Sequence, residues 1–165
     1  MDKSEKLALS LSGLLLIVFF GALMYAAAAE DLEVPTCITD MDPFTTDTLF
    51  QTSEDVYELH MVARMWAFQP STIRLPAGST VDLYVTSQDI IHGFKVKNKN
   101  VNMMAVPGAI NYVRVKFDEP GDYPFACHEF CGAAHHTMAG RFVIEENIDE
   151  PVIEDETNES ETMGD

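Results

Sequence analysis

Residues 127–138 read CHEFCGAAHHTM, placing two cysteines, three histidines and a methionine inside twelve positions of a chain that has one other cysteine. Three chemistries compete for this stretch. A Cys127–Cys131 disulfide suits an extracellular protein, but so short a loop restrains little unfolded-chain entropy and leaves the His and Met spacing unexplained. Zinc would be satisfied by two thiolates and two imidazoles, with Met138 idle. Thiolates, imidazoles and a thioether together suit copper in a redox role. A mononuclear blue site uses one Cys, two His and a weak Met, so one cysteine is left over. The surplus disappears if both sulfurs bridge two ions, each capped by one His. The stoichiometry favours a dinuclear site.

Two His are needed, and His92, at the start of HGFKVK, supplies the second, with 34 residues between it and Cys127. Between Val56 and Glu146 the chain breaks into short runs rich in Val, Ile, Tyr and Phe: VYELHMVARMW, STIRL, STVDLYVTS, GFKVK, INYVRVKF, GDYPFAC and GRFVIEE. Turn signals separate them, among them Pro76-Ala77-Gly78, Pro107-Gly108 and Glu119-Pro120-Gly121. In INYVRVKF the odd positions Val113, Val115 and Phe117 form an apolar face. Strands at this spacing argue for a mainly β, antiparallel sandwich or barrel. A sandwich would assemble these ligands as cupredoxin-type copper sites do, so a cupredoxin-like antiparallel β-sandwich is the fold expected. In such a fold the loop before the last strand meets a His from an earlier strand.

Ahead of this domain, Leu7 to Ala29 is an uncharged run of 23 residues. As a helix it is about 34 Å long, enough to cross a hydrocarbon core of about 30 Å. A cleaved signal peptide is the rival, though its apolar stretch is expected to be shorter, about 7–15 residues. Lys3 and Lys6 precede the run and the next basic residue is Arg64. Basic residues stay on the cytoplasmic side, so residues 1–29 read as a cytoplasmic N-terminus and a transmembrane helix, with the domain outside the cell membrane. Residues 30–55, rich in Thr and Asp with little periodicity, read as a linker, 56–146 as the copper domain, and 147–165 as an acidic disordered tail.

Net charge is −17. The segment from Glu145 onward holds ten Asp/Glu and no Lys or Arg, and removing those ten leaves −7 on the remainder. Phosphates would be repelled, which excludes nucleic-acid binding. Acidic surfaces of this kind suit high salt, where screening tames their self-repulsion, and a haloarchaeal source fits.

The sequence SQDIIHGF, then Pro-Gly, then PGDYPFACHEFCGAAHHTM and a final strand resembles the CuA domain of cytochrome c oxidase subunit II. The resemblance runs from the anchor to about Glu146. It implies that Cys127 and Cys131 bridge two copper ions, one completed by His92 and Met138, the other by His135 and the backbone carbonyl of Glu129. It also implies a subunit I partner with haem, and a soluble donor: a cytochrome c or a small blue copper protein. Trp66, in RMWAFQP, aligns with the aromatic through which electrons enter in this family; the alternative is an ordinary core Trp. The single anchor resembles the B-type oxidases. In VNMMAVPGAI, Ala109 stands where mitochondrial relatives carry an Arg. Glu129 matches relatives whose side chain at this position also holds magnesium. Two other readings remain: a CuA subunit of a nitric oxide or nitrous oxide reductase, and a non-redox sandwich holding zinc or a disulfide. His60, His128 and His136 read as structural or solvent-facing, and Cys37 as a spare thiol.

Overall fold

The computed structural model describes residues 2–29, 34–146, 148 and 150–155. The chain divides into two compact units, residues 1–32 and 33–165. The first is one helix, α1 (Lys3–Ala29), with no buried residue and a mean hydropathy of 2.4 over its most apolar stretch. Its length and composition suit a membrane span.

The second unit is a sandwich of two six-stranded sheets. One contains β1 (Thr36–Ile38), β9 (Ile110–Phe117), β6 (Ser79–Ser87), β3 (Val56–Arg64) and β2 (Thr48–Ser53) in that order, with β4 (Ala67–Gln69) also on β3. The other runs β12 (Val152–Glu154), β5 (Thr72–Pro76), β11 (Ala139–Glu145), β10 (Gly121–Ala126), β7 (His92–Val96), β8 (Val101–Ala105). Strand alternation sets the faces. On β6, Val81, Leu83 and Val85 are wholly buried while Thr80, Asp82 and Tyr84 turn outward, and on β9 the expected odd-numbered face, Val113, Val115 and Phe117, is inside.

The sandwich is as expected, but its sheets are mixed rather than antiparallel throughout. β3 pairs with β6, and β5 with β11, in parallel. The reason lies in the path after Arg64. The run VYELHMVARMW stops there, the chain turns at Met65-Trp66 into β4, passes to the second sheet as β5, and comes back as β6 running the same way as β3. Gly78 allows the β5–β6 turn, adopting a φ of +90° open to glycine and donating its N–H to Phe117 O.

The segment expected to be a linker, 30–55, contains β1 and β2. Both are edge strands with little buried side chain, so hydrophobic periodicity could not reveal them. Likewise β12 lies inside the stretch expected to be a disordered tail. Ser71 donates its N–H and hydroxyl to Glu154 O, and Arg74 bridges Glu145 and Glu154 at 2.9 and 3.2 Å. Residues 156–165, the rest of that tail, lie outside the described residues.

Four phenylalanines, Phe68, Phe94, Phe125 and Phe142, form the aromatic floor of the core, with Phe125 5.0–5.6 Å from each of the other three ring centroids. Phe94 follows His92 by two residues and Phe125 precedes Cys127 by two, so this floor carries the start of β7 and the end of β10. Gly140 shares it: an added Cβ would overlap the Phe125 ring and Ser71 O. At Gly93 the three atoms nearest the added carbon all belong to the His128 imidazole, at 2.6–2.7 Å. Gly140→Ala is therefore expected to destabilise the domain by about 1–3 kcal/mol or more. Gly93→Ala, where an exposed ring can swing aside, should cost clearly less. Denaturant unfolding of the two variants checks the order; equal losses would contradict it.

Candidate metal centre

The loop 127–138 joins β10 to β11, which are antiparallel neighbours, so both its ends leave from one edge of the sandwich. Its base is closed by Cys127 N–H donating to Met138 O at 3.0 Å. His92 opens β7, the other neighbour of β10, and the Ala126–Lys95 register brings its end of that strand beside the loop. Topology thus brings His92 and the 127–138 loop to the same end of the second sheet.

The two sulfurs, Cys127 Sγ and Cys131 Sγ, stand 3.7 Å apart. A disulfide needs about 2.05 Å, so both are thiols, as is exposed Cys37. Met138 Sδ lies 3.7 Å and His135 Nδ1 3.4 Å from Cys131 Sγ, while Glu129 O is 3.2 Å from Cys127 Sγ. His92, Cys127 and Cys131 offer ligand atoms all within 4.8 Å of one another, and among the described residues this is the one such group of three. His135 is not in that group; its Nδ1 lies against Cys131 Sγ and its ring beside Phe130. His92, Cys131 and Met138 are 0–1% exposed.

Each buried donor wants a partner. His92 Nδ1 is buried and has none, which is costly for a ring nitrogen unless a cation occupies the space before it. Its other nitrogen is fixed: His92 Nε2 is 2.8 Å from Asp89 Oδ1. With Nε2–H donating to that carboxylate, Nδ1 carries a free lone pair, the tautomer a metal ligand requires. Burial pushes the Asp89 carboxyl up, but bonds from His92 and from the Met65 and Ile90 N–H groups outweigh it and hold the group below its ordinary value. Burial, then the neighbouring Cys127, pushes the Cys131 thiol up to about 11. Without a cation the pocket cannot keep that sulfur ionised at neutral pH.

Asp89 was not among the expected site residues, although Asp three positions before His in SQDIIHGF was a legible signal for a ligand-orienting carboxylate. It does a second job, accepting the Met65 N–H at 2.6 Å and so tying the Met65-Trp66 turn to His92. Trp66 is not a core residue: it is 38% exposed, donates Nε1–H to Cys131 O at 2.9 Å and lies on Gly132, whose φ is +113°. The Glu129 side chain is half exposed, 3.6 Å from His128 Nδ1, and no group of three metal-capable side chains includes it among the described residues. His136 is exposed, and His60 is outside the site, stacked on Phe44 and bonded to Glu58.

The family of the periplasmic domain of cytochrome c oxidase subunit II matches residues 37–146. The chain belongs to that family. Subunit 2 of the Thermus thermophilus cytochrome c oxidase is 31% identical over 154 residues, covering 86% of this chain and 92% of the relative. A chain of a haem–copper terminal oxidase dimer solved by cryo-EM is 43% identical with a TM-score of 0.75, over 87% of this chain and 100% of that one. The periplasmic domain of subunit II from Bradyrhizobium japonicum, at 21% identity and a TM-score of 0.51 over 55% of this chain and 84% of that one, shares the fold. The protein is thus subunit II of a haem–copper oxidase, a single-pass membrane subunit whose β domain lies outside the cytoplasm.

Two outcomes follow for the metal-free protein with reduced thiols, probed with Zn²⁺ against a competing chelator. Apparent affinity should rise with pH between about 7 and 9, because bound thiols must first lose their protons. Asp89→Ala should weaken binding about 10–100-fold with the fold retained. A pH-independent affinity would remove the thiols from the ligand set, and an unaffected Asp89→Ala would leave His92 oriented by something else.

Proposed function

We propose that this subunit takes electrons from a soluble donor, a cytochrome c or a small blue copper protein, and passes them to haem in subunit I of the same oxidase for O₂ reduction. The N-terminus, with Lys3 and Lys6, stays in the cytoplasm. The observation that supports a dinuclear copper centre is the distribution of donors about the sulfur pair. Donors to one zinc ion at about 2.0–2.3 Å stand at most about 4.6 Å apart. His92 meets both sulfurs within 4.8 Å, whereas His135 is outside that group and 3.4 Å from Cys131 Sγ, so the two imidazoles do not converge on one N₂S₂ tetrahedron, and each is left beside the sulfur pair to cap an ion of its own.

Two copper ions bound in this way supply a one-electron couple spread over both metals. The chain's own residues do the rest. Cys127 and Cys131 would hold both ions, with His92 and Met138 completing one site and His135 with the Glu129 carbonyl completing the other. Burial of His92, Cys131 and Met138 keeps water out, and a donor set held by strand ends on an aromatic floor has little room to rearrange when charge changes. Trp66 offers a partly exposed ring hydrogen-bonded directly to the ligand loop, which supports its role as the point where electrons enter. The relatives that match over most of the chain are oxidases, which favours oxygen over nitrogen oxides as the acceptor.

Cys127→Ser should lose the paired centre, while Met138→Leu keeps the metal and shifts its potential, since a thioether tunes one ion and a bridging thiolate holds two. Equal loss of copper in both would show the roles to be misassigned. Trp66→Ala should slow reduction by the native donor at least about 30-fold, the scale of an aromatic hot spot. Removing residues 156–165, which spares β12, should have a much smaller effect in molar salt, where the Debye length is about 3 Å. Stopped-flow absorbance measures both, and a tail deletion as slow as the Trp variant would make the acidic end the docking element.

A further inference from the structure

Eight of the ten basic residues follow the helix, and most are engaged locally. Arg74 holds Glu145 and Glu154, Arg114 holds Asp82, Lys116 holds Asp118, Lys99 lies over the Phe117 and Tyr123 rings, and Arg64 shares a cleft with Asp155. Lys95, Lys97 and Arg141 are left. All three are exposed, and none has a side-chain hydrogen bond or ion pair among the described residues. They are also together. Phe94, Val96 and Phe142 point into the core, so Lys95, Lys97 and Arg141 share the outer face of the second sheet. Lys95 lies opposite Ala126, Arg141 opposite Pro124, and Lys97 N–H bonds Pro124 O.

Beside Lys95 and Lys97 runs an open groove of about 490 Å³, floored by Pro124, Phe125, Ala126 and Ala139 and reaching His128, whose ring is 3.6 Å from the Glu129 carboxylate. Arg141 lies on the same face, next to Pro124 but outside the groove's lining. Of the carboxylates on this face, Glu145 and Glu154 are taken by Arg74, and Asp122 sits toward the far end of β10. The groove adjoins the candidate centre twice. His128 follows Cys127 in the chain, and Ala139 also lines the cleft that contains Trp66 and Thr137.

We infer that this groove is the docking site of the soluble electron donor, and that the donor presents an acidic surface to it. This rests on the electron-relay function proposed above. In so acidic a chain, free cations converging on one apolar groove complement a partner of negative charge. A permanent subunit contact would be expected to bury an apolar core depleted in lysine, whereas exposed lysines beside an open groove suit a transient, electrostatically steered encounter. A donor seated there with its edge over Ala139 reaches the Trp66 cleft.

The test uses the full copper-loaded subunit and plastocyanin, an acidic blue copper protein, as the probe, with basic mitochondrial cytochrome c as the opposite charge. Lys95→Glu/Lys97→Glu/Arg141→Glu should slow reduction by plastocyanin and weaken its calorimetric affinity at low ionic strength, each at least about tenfold, and both effects should shrink as salt rises. Cytochrome c should not be slowed, and reduction by the small neutral reductant tetramethyl-p-phenylenediamine should be unchanged. Plastocyanin kinetics and affinity indifferent to the charge reversal would overturn the docking site while leaving the relay intact. So would loss of the co-purifying oxidase subunits, because the cations would then hold a resident partner. A centre that no reductant can reduce would overturn the relay itself, and the docking site with it.

Discussion

Two thiols stand 3.7 Å apart in a pocket that also buries an imidazole nitrogen, His92 Nδ1, for which the protein offers no hydrogen-bond partner. Burial raises the Cys131 thiol to about 11, and His92 is pinned by Asp89 with its lone pair facing inward. A bound cation relieves both at once, by replacing thiol protons and by giving Nδ1 a partner. The rest of the domain can be understood as the means of holding these donors in place.

That means is mostly aromatic and mostly local. Phe94 and Phe125 sit two residues from His92 and Cys127, packed on each other at 5.0 Å, so each ligand leaves the core from a fixed strand end. The neighbouring β10 and β11 clamp both ends of the ligand loop, and Cys127 N–H to Met138 O closes it. Asp89 then links His92 to the turn carrying Trp66, and Trp66 returns a hydrogen bond to Cys131 O. A ring of contacts therefore joins the metal donors to an exposed aromatic. Movement of either would be felt by the other.

Much of this was legible in the residues. Strands with β-branched alternation, such as STVDLYVTS and INYVRVKF, announced their own faces, and the unusual density of Cys, His and Met marked the site. What escaped has physical causes. Strands β1, β4 and β12 are three residues long, and β2 buries little, so none carries a periodic signal. In β8, Val101, Met103 and Ala105 do alternate inward, but methionine and alanine are weak strand formers. The parallel pairs follow from crossovers between sheets, which no local pattern encodes. Asp89 bonds His92 Nε2 and is outside the expected ligand set, so a search that counted ligands passed over it despite its spacing from His92.

The central claim is that this pocket takes two copper ions that share both cysteines. Metal analysis of the purified subunit together with electron paramagnetic resonance of its oxidised form tests it most directly. The account predicts two coppers per chain and a hyperfine pattern from one unpaired electron shared equally by two copper nuclei. One copper per chain with the hyperfine pattern of a single nucleus would contradict it.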